Sequence, residues 1–559
     1  MFKKEIINIL KNEISLKEKD IGDLIEIPPN PDYGDYAFPC FILSKKKKKN
    51  PKELAEELAG KLKISRIIEK IEPRGSYLNF FINKNKLAEK IIKINANFGK
   101  TNNGKKKTVI IDFSHPNIGK PMHVGHIRST IIGDSLMRIY DFLNYNPVGI
   151  NYLGDTGLHI GKLIASYELW LNKKNLKKDP VKELLRLYVK FCNKEKIQAT
   201  EGMDELASNN EWTNKAKEKI KLLELGDKKT HRIWNEIRKA SEKGFNKVYD
   251  ILNVTFTETT GQSYFEKRGK QIIADSILKG HAKAEPEGAI FTESLGKKKY
   301  ILRSNKTATY ITYDIGAAYE RYENYNFHKM IYVTDFRQKE HFQHLFNIMK
   351  IFGFEFSSKM IHLPFGTLKF GKEVMATRTG NIILLDEVLK KTVKKAEKEI
   401  KKRKTKGDPE KVGVGAVKYL VLKNEPIKNV HFSWKSLNFE GNTGPYLQYS
   451  YARASSVIRK AKNFNKNKIS TDNLEKPEIA LLKKISFFPE TVQQAEKNLN
   501  PSLIANYSYE LAKLFNEFYH SCRVLESKKE AFRLRLIDSF RTTLHNALHL
   551  LGIEVMEEM

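Results

Sequence analysis

Two histidines three positions apart, His123 and His126, flank Val124 and Gly125 in the stretch NIGKPMHVGHIRST (117–130), just past a Gly-Lys-Pro. Imidazoles at that spacing suit three roles. As metal ligands they need a third and a fourth partner, and the neighbouring glycines and lysine are poor company for a cation. As a satisfied loop pair they do no chemistry. As phosphate ligands they belong at the start of a helix, where free N–H groups and the positive end of the dipole face an anion, imidazole N–H groups donate to its oxygens, and Gly125 leaves the backbone approachable.

The phosphate reading requires a strand before the stretch and a helix after it. TVIIDF, beginning at Thr108, is a short apolar run suited to a buried parallel strand, and the apolar residues of HIRSTIIGDSLMRIYDFLNY recur at helical spacing. PVGINYLGDTG supplies a second strand and completes a βαβ unit. YILRSNKTATYITYDIGAAYERY and HKMIYVTDFRQKEHFQHLFNIMKIFG each read as strand then helix. The expected fold is therefore α/β and multidomain, with a Rossmann-type, doubly wound parallel sheet over 101–385 split by a charged helical insertion over about 165–280.

On either side the texture differs. Residues 1–100 carry two amphipathic helical patterns around the extended IPPNPDYGDYAFPC and end on the strand-like GSYLNFFIN, a small α+β domain. KKKKK at 45–49 reads as a solvated loop, and NANFGKTNNGKKK (95–107) as a linker. After about 385 the strand signals stop. A helical connector over 386–438 and an all-α bundle over 439–559 are expected, the latter with Leu511, Leu514, Phe515, Phe518, Tyr519 and Cys522 on one helical stripe.

The 559 residues carry a formal net charge of +33, from 99 Lys and Arg against 66 Asp and Glu, an excess that favours a polyanionic partner. Three cysteines, Cys40, Cys192 and Cys522, lie far apart, which argues against a disulfide framework or a cysteine-rich zinc site and fits the reducing cytosol. No apolar run approaches the ~18 residues of a membrane span, so a soluble chain is expected.

HVGH after a strand resembles the HIGH signature of class I aminoacyl-tRNA synthetases, and DFSHPNIGKPMHVGHIRSTIIGD (112–134) resembles its arginyl-tRNA synthetase form. NYLGDTGLHIGKL, ATYITYDIGAA, YVTDFRQKEHFQHLF, GVGAVKYL and FEGNTGPYLQYSYAR follow in that family's order. The resemblance implies a ligase that uses ATP with Mg²⁺ to adenylate L-arginine, then transfers the arginyl group to the 3'-terminal adenosine of tRNA(Arg), with no metal bound by the chain itself. It implies ATP contacts from His123, Gly125 and His126, and from Met375, Thr377 and Arg378 in VMATRTGN (374–381). That second loop departs from the KMSKS pattern usual in the class. Thr377 stands near the expected lysine; in members of the family that lack it the lysine just before HIGH compensates, so the resemblance assigns the charge stabilisation to Lys120, with Lys372 and Arg378 as the other candidates.

A guanidinium is a planar fork of donors and needs a carboxylate and neutral acceptors. The resemblance assigns the arginine side chain to Tyr310 and Asp314, and the α-amino and carboxylate groups to Asn117, Lys120 and Gln338, with Asp112 nearby. Gln262 of TGQSYF stands where the family often has Glu, which leaves the guanidinium more dependent on Asp314. On the RNA side it implies that 1–100 contacts the tRNA elbow, with Tyr77 stacking on a base and Asn79 bonding its edge, although packing of this strand in the core explains both equally well. It implies that 439–559 binds the anticodon, through Tyr446, Arg453 and Met559, while Tyr446, Tyr449 and Tyr451 equally suit the core of their helix. A monomer is expected. The alternatives are another class I synthetase, cysteinyl being closest in architecture, or an inactive synthetase-like protein that only binds RNA.

Overall fold

In the computed structural model, which describes residues 1–197, 210–370, 384–432, 440–461 and 469–559, the apolar run at Thr108–Asp112 is the central strand of a five-stranded sheet. Across the sheet the strands run Met360–Phe365, Lys329–Asp335, Thr108–Asp112, Asn146–Leu153 and Glu258–Gly261, and every neighbouring pair is parallel. Val109, Ile110 and Ile111 are fully buried, as a strand covered by helices on both faces must be. The chain first winds from the centre to one edge and then returns to build the other. The strand order therefore reverses between Thr108–Asp112 and Lys329–Asp335, and the crevice at their carboxyl ends is where such sheets bind ligands.

Several local expectations are corrected. The helical insertion ends before 258, because Glu258–Gly261 rejoins the parallel sheet as a four-residue edge strand too short and too polar to show a period. The strand in YILRSNK, Lys297–Leu302, belongs to a separate three-stranded antiparallel sheet. Strands also persist past 385, since Val430–Phe432 pairs in parallel with Leu368–Phe370. Three residues with buried Val430 and Phe432 either side of exposed His431 carry almost no pattern. Lys45, Lys46 and Lys47 form the last turn of the Phe41–Lys47 helix, where their charge meets the negative end of the dipole.

The first region folds as five helices against a three-stranded antiparallel sheet with Tyr77–Ile82 in the middle. The last region is helical, and Leu511, Phe515 and Phe518 of its Ser502–Ser521 helix are fully buried. Phe488 of that bundle packs on Phe98 and Phe142, so one continuous apolar core joins the N-terminal, catalytic and C-terminal parts.

Candidate active site

The Val124–Phe142 helix starts at the crevice, and the two histidines form its cap. His123 Nδ1 accepts from the Gly125 amide at 3.1 Å, and His126 Nδ1 accepts from the His123 amide at 3.2 Å, so each imidazole does the work of a capping side chain. The ring centroids lie 4.1 Å apart. Gly125 is required for a different reason than the sequence suggests: a Cβ there would lie 2.7 Å from His123 Cε1, so the space is filled by the His123 ring and is not open to a ligand.

Because both Nδ1 atoms accept, each neutral ring carries its proton on Nε2 and has one N–H to donate. Burial, with Lys120 adding repulsion, lowers the His123 pKa to about 4. His126 is held well below its ordinary value by burial and by the adjacent His123. The pair supplies neutral donors, and the positive charge of the loop is left to Lys120, whose Nζ sits 4.8 Å from the centre of the Tyr188 ring. Lys120 is placed by a tight turn in which its amide bonds the Asn117 carbonyl, after Gly119 at φ 76°.

Ser114 and His115 both adopt left-handed backbone, at φ 80° and 54°, which non-glycine residues hold only under constraint. The constraint is visible. The Ser114 amide donates to Ser129 Oγ, its hydroxyl bonds Thr130 and Tyr249, and His115 Nε2 lies 2.6 Å from Asp112 Oδ1. Asp112 is buried beneath the site. Burial alone would raise its pKa, but the Arg321 guanidinium at 2.7 Å and His115 hold it below the usual range. Its carboxylate is therefore already engaged by Arg321 and His115 beneath the site.

The remaining groups come from the other strand ends. Asn117 bridges Gly154, beyond the second strand, and any Cβ on Gly154 would overlap its side chain. Tyr310 opens the Tyr310–Tyr325 helix with its hydroxyl near Gly157, and Asp314 follows one turn on. Gln338 stands at the N-cap position of the Lys339–Ile351 helix, beyond the Lys329–Asp335 strand, and His341 of that helix places Nε2 2.6 Å from Asp314 Oδ2. Gln262 lies in a short 3-10 turn fastened by Asp155, which accepts from the Ser263 amide at 2.8 Å and the Ser263 hydroxyl at 2.7 Å. Lys372, Met375, Thr377 and Arg378 lie outside the described residues. Leu384, the first described residue after them, bridges His123.

Sequence reasoning gave no role to Asp155, His159, His341 or Arg128. His159 is held neutral down to about pH 3 by burial and by Lys120. The insertion also contributes more than an appendage would: on its Lys228–Leu252 helix, Trp234 donates to the Asp155 carbonyl, Ser241 accepts from the Gly119 amide, and Tyr249 bonds Ser114 and Asn151. The one available signal was their spacing of seven and eight residues, which puts all three on one helix face.

Two outlying surfaces carry the RNA expectations. Tyr77 is half-buried with its ring edge-on to exposed Phe41, and the Arg74 guanidinium lies over exposed Tyr33. Asn79 is only 3% exposed, which favours core packing over base contact among its two readings, and Gly34 packs over its side of the Tyr77–Ile82 strand. In the bundle, Arg453 lies over Tyr449 and Tyr519, 4.8 and 5.2 Å from the ring centres, and bonds Asn516, which donates to the Tyr446 hydroxyl. Tyr449, Arg453, Tyr519 and Met559 line a cleft of about 860 Å³, whereas Tyr451 is a core residue.

Three family matches tile the chain: "tRNA synthetases class I (R), catalytic domain" over residues 89–434, "Arginyl tRNA synthetase N terminal domain" over 2–82, and "DALR anticodon binding domain" over 447–559. The arginine–tRNA ligases of Halothermothrix orenii and Clostridium beijerinckii are 39% and 37% identical to it, each over 100% of both chains. The solved arginyl-tRNA synthetases of Thermus thermophilus and Plasmodium falciparum superpose with TM-scores of 0.83 and 0.81 at 25% and 27% identity, covering 100% of this chain and 99% of theirs. With a parallel sheet that gathers a capped double histidine, a lysine turn and an acid-bearing helix at its switch point, the chain belongs to the class I arginyl-tRNA synthetases, the arginine–tRNA ligases.

Proposed function

We propose how the work of this ligase is divided among its residues. His123 and His126 donate their Nε2 protons to the phosphates of ATP, and Lys120 supplies the charge that stabilises the pentacoordinate α-phosphorus while an arginine carboxylate oxygen attacks and pyrophosphate departs. Asn117 and Gln338 hold the α-amino and carboxylate groups, Tyr310 and Asp314 the guanidinium. A terminal ribose hydroxyl of tRNA(Arg) then attacks the carbonyl carbon, and AMP leaves. The observation that carries this reading is the histidine cap, whose hydrogen bonds leave two neutral donors beside one lysine at the crevice.

Mg²⁺ enters with ATP as part of the substrate. The donors around the phosphate loop are imidazoles and a lysine, and Asp112, at the end of the strand that leads into the loop, is committed to Arg321 and His115. Met375, Thr377 and Arg378 are assigned to ATP by sequence alone. Residues 1–100 serve the tRNA elbow through Tyr77, with the neighbouring Tyr33, Phe41 and Arg74, and the cleft of Arg453, Tyr449, Tyr519 and Met559 takes splayed anticodon bases by stacking and cation contact. Residues 386–438 link the catalytic domain to the C-terminal bundle and face the tRNA stem. The molecule works as a monomer in the cytosol; no described helix is long and apolar enough to cross a membrane.

ATP–pyrophosphate exchange with each amino acid, with and without tRNA, tests the scheme. Exchange is expected with arginine alone among the amino acids, and Lys120→Ala is expected to lower its kcat about a hundredfold or more with little change in arginine KM. No exchange under any condition would favour an inactive RNA-binding protein. Equal losses in kcat and arginine binding would remove Lys120 from the transition state.

A further inference from the structure

The carboxylate assigned to the guanidinium already has a partner. His341 Nε2 lies 2.6 Å from Asp314 Oδ2, and both side chains are largely shielded, at 27% and 12% exposure. An ionised carboxylate only accepts, so the imidazole is the donor. His341 is fixed from two sides: it sits in the first turn of the Lys339–Ile351 helix, and its ring stands at 88° to Phe342, which is itself stacked on His362 at 4.6 Å. Asp314 has less freedom still, being on the second turn of a helix that is anchored below by the Arg321–Asp112 pair.

The place of His341 relative to Gln338 gives the contact a direction. The two are three residues apart at the start of one helix and so share a face. Gln338 is exposed, and His341 reaches the helix that carries Tyr310 and Asp314. A single turn thus carries both Gln338, assigned to the α-amino and carboxylate groups, and the partner of Asp314. A carboxylate has two oxygens and about four acceptor positions, enough for an imidazole on one edge and the two parallel N–H groups of a guanidinium on the other.

We propose that His341 is a specificity-determining positioning residue, which holds the Asp314 carboxylate in the orientation that receives the guanidinium fork and keeps it there when the pocket is empty. The inference rests on the assignment of Asp314 to the arginine side chain. It also bears on position 262: Gln262 brings no charge of its own, so the aim of the Asp314 carboxylate matters more.

Steady-state pyrophosphate exchange on the full chain, with tRNA present, separates the cases. His341→Leu keeps the bulk and removes the donor; it is expected to raise arginine KM about tenfold while kcat and ATP KM stay within about twofold. Discrimination against citrulline, whose urea lacks the charged fork, is expected to fall by a similar factor. His341→Gln restores an N–H donor and is expected to recover most of the loss. A His341→Leu enzyme with wild-type arginine KM overturns the proposal. So does a joint loss in kcat, arginine KM and ATP KM that His341→Gln does not relieve, since that is damage to the fold. Asp314→Asn run alongside keeps the two claims apart: if it leaves arginine KM unchanged, the assignment of Asp314 fails and His341 falls with it, whereas a large effect of Asp314→Asn with none of His341→Leu refutes His341 alone.

Discussion

Neutral imidazoles have a measurable consequence away from catalysis. His123 and His159 titrate at about 4 and about 3 when folded, and His126 well below its ordinary value, because burial outweighs every other influence on them. In the unfolded chain each titrates near ~6.5. Above that pH neither state takes up the proton and they contribute nothing to pH dependence. Below it the unfolded state binds protons that the folded state refuses, so stability falls as pH drops from about 6.5 toward 4. Unfolding midpoints measured at pH 7.5, 6 and 5 should decline, and His159→Asn should decline less steeply; parallel slopes would mean that this imidazole is not held neutral. Among single residues, the histidine pair was legible from its spacing and Lys120 from the resemblance, whereas lying inside a recognised stretch did not by itself disclose a role. Asp155, His341 and Arg128 are ordinary residues until a distant strand end or helix turn is brought beside them.

Elements were legible in proportion to their length and burial. The strands at 108–112, 146–153 and 329–335 are apolar enough to read directly, and the long helix after the histidines shows its period. Glu258–Gly261 and Val430–Phe432 have neither length nor pattern, and they exist because neighbouring strands offer them a ladder. The pairing of Val430–Phe432 with Leu368–Phe370 is also secured by a side chain no pattern marks. Arg128, fully buried on the Val124–Phe142 helix, donates to the carbonyls of Gly366, Glu425, Pro426 and Lys428, clasping both lead-in segments of that pair. Burial lowers its pKa to about 10 without neutralising it. Arg128→Lys keeps the charge but lacks the fork, so two or more buried carbonyls lose their donor. A stability loss of about 2–4 kcal/mol is expected in urea titration, and a loss under ~0.5 kcal/mol would show that the carbonyls find other partners.

At the scale of the molecule, the same helix is the member that all parts touch. Farther along it, Asp134 meets Arg138 at 3.0 Å and Lys418 at 3.5 Å, and Lys418, itself fully buried, donates to the Gly552 carbonyl at 2.8 Å. Ser135 donates to the Leu550 carbonyl at 2.8 Å. The Val124–Phe142 helix, the Pro409–Leu422 helix and the end of the Glu530–Leu550 helix therefore meet at one buried ion pair. A charge left alone in such a place is expensive. Asp134→Asn is expected to destabilise the chain by about 3 kcal/mol or more, and adding Lys418→Met should recover part of that loss. Additive losses in the double-mutant cycle would show that the two groups are not energetically coupled. This junction was invisible in the sequence, because an Asp, a Lys and a Gly separated by hundreds of residues share no local pattern.

That junction also sets a clock. Ser135 and its partner Leu550 are 415 residues apart, and a ribosome adding roughly 5–20 residues per second takes on the order of 20–80 s to travel between them. Through that interval the emerging histidine helix has Asp134 paired with Arg138 alone and Ser135 without the Leu550 carbonyl. The growing polypeptide thus carries the HVGH turn on a helix whose far side is held only when the distant helix docks.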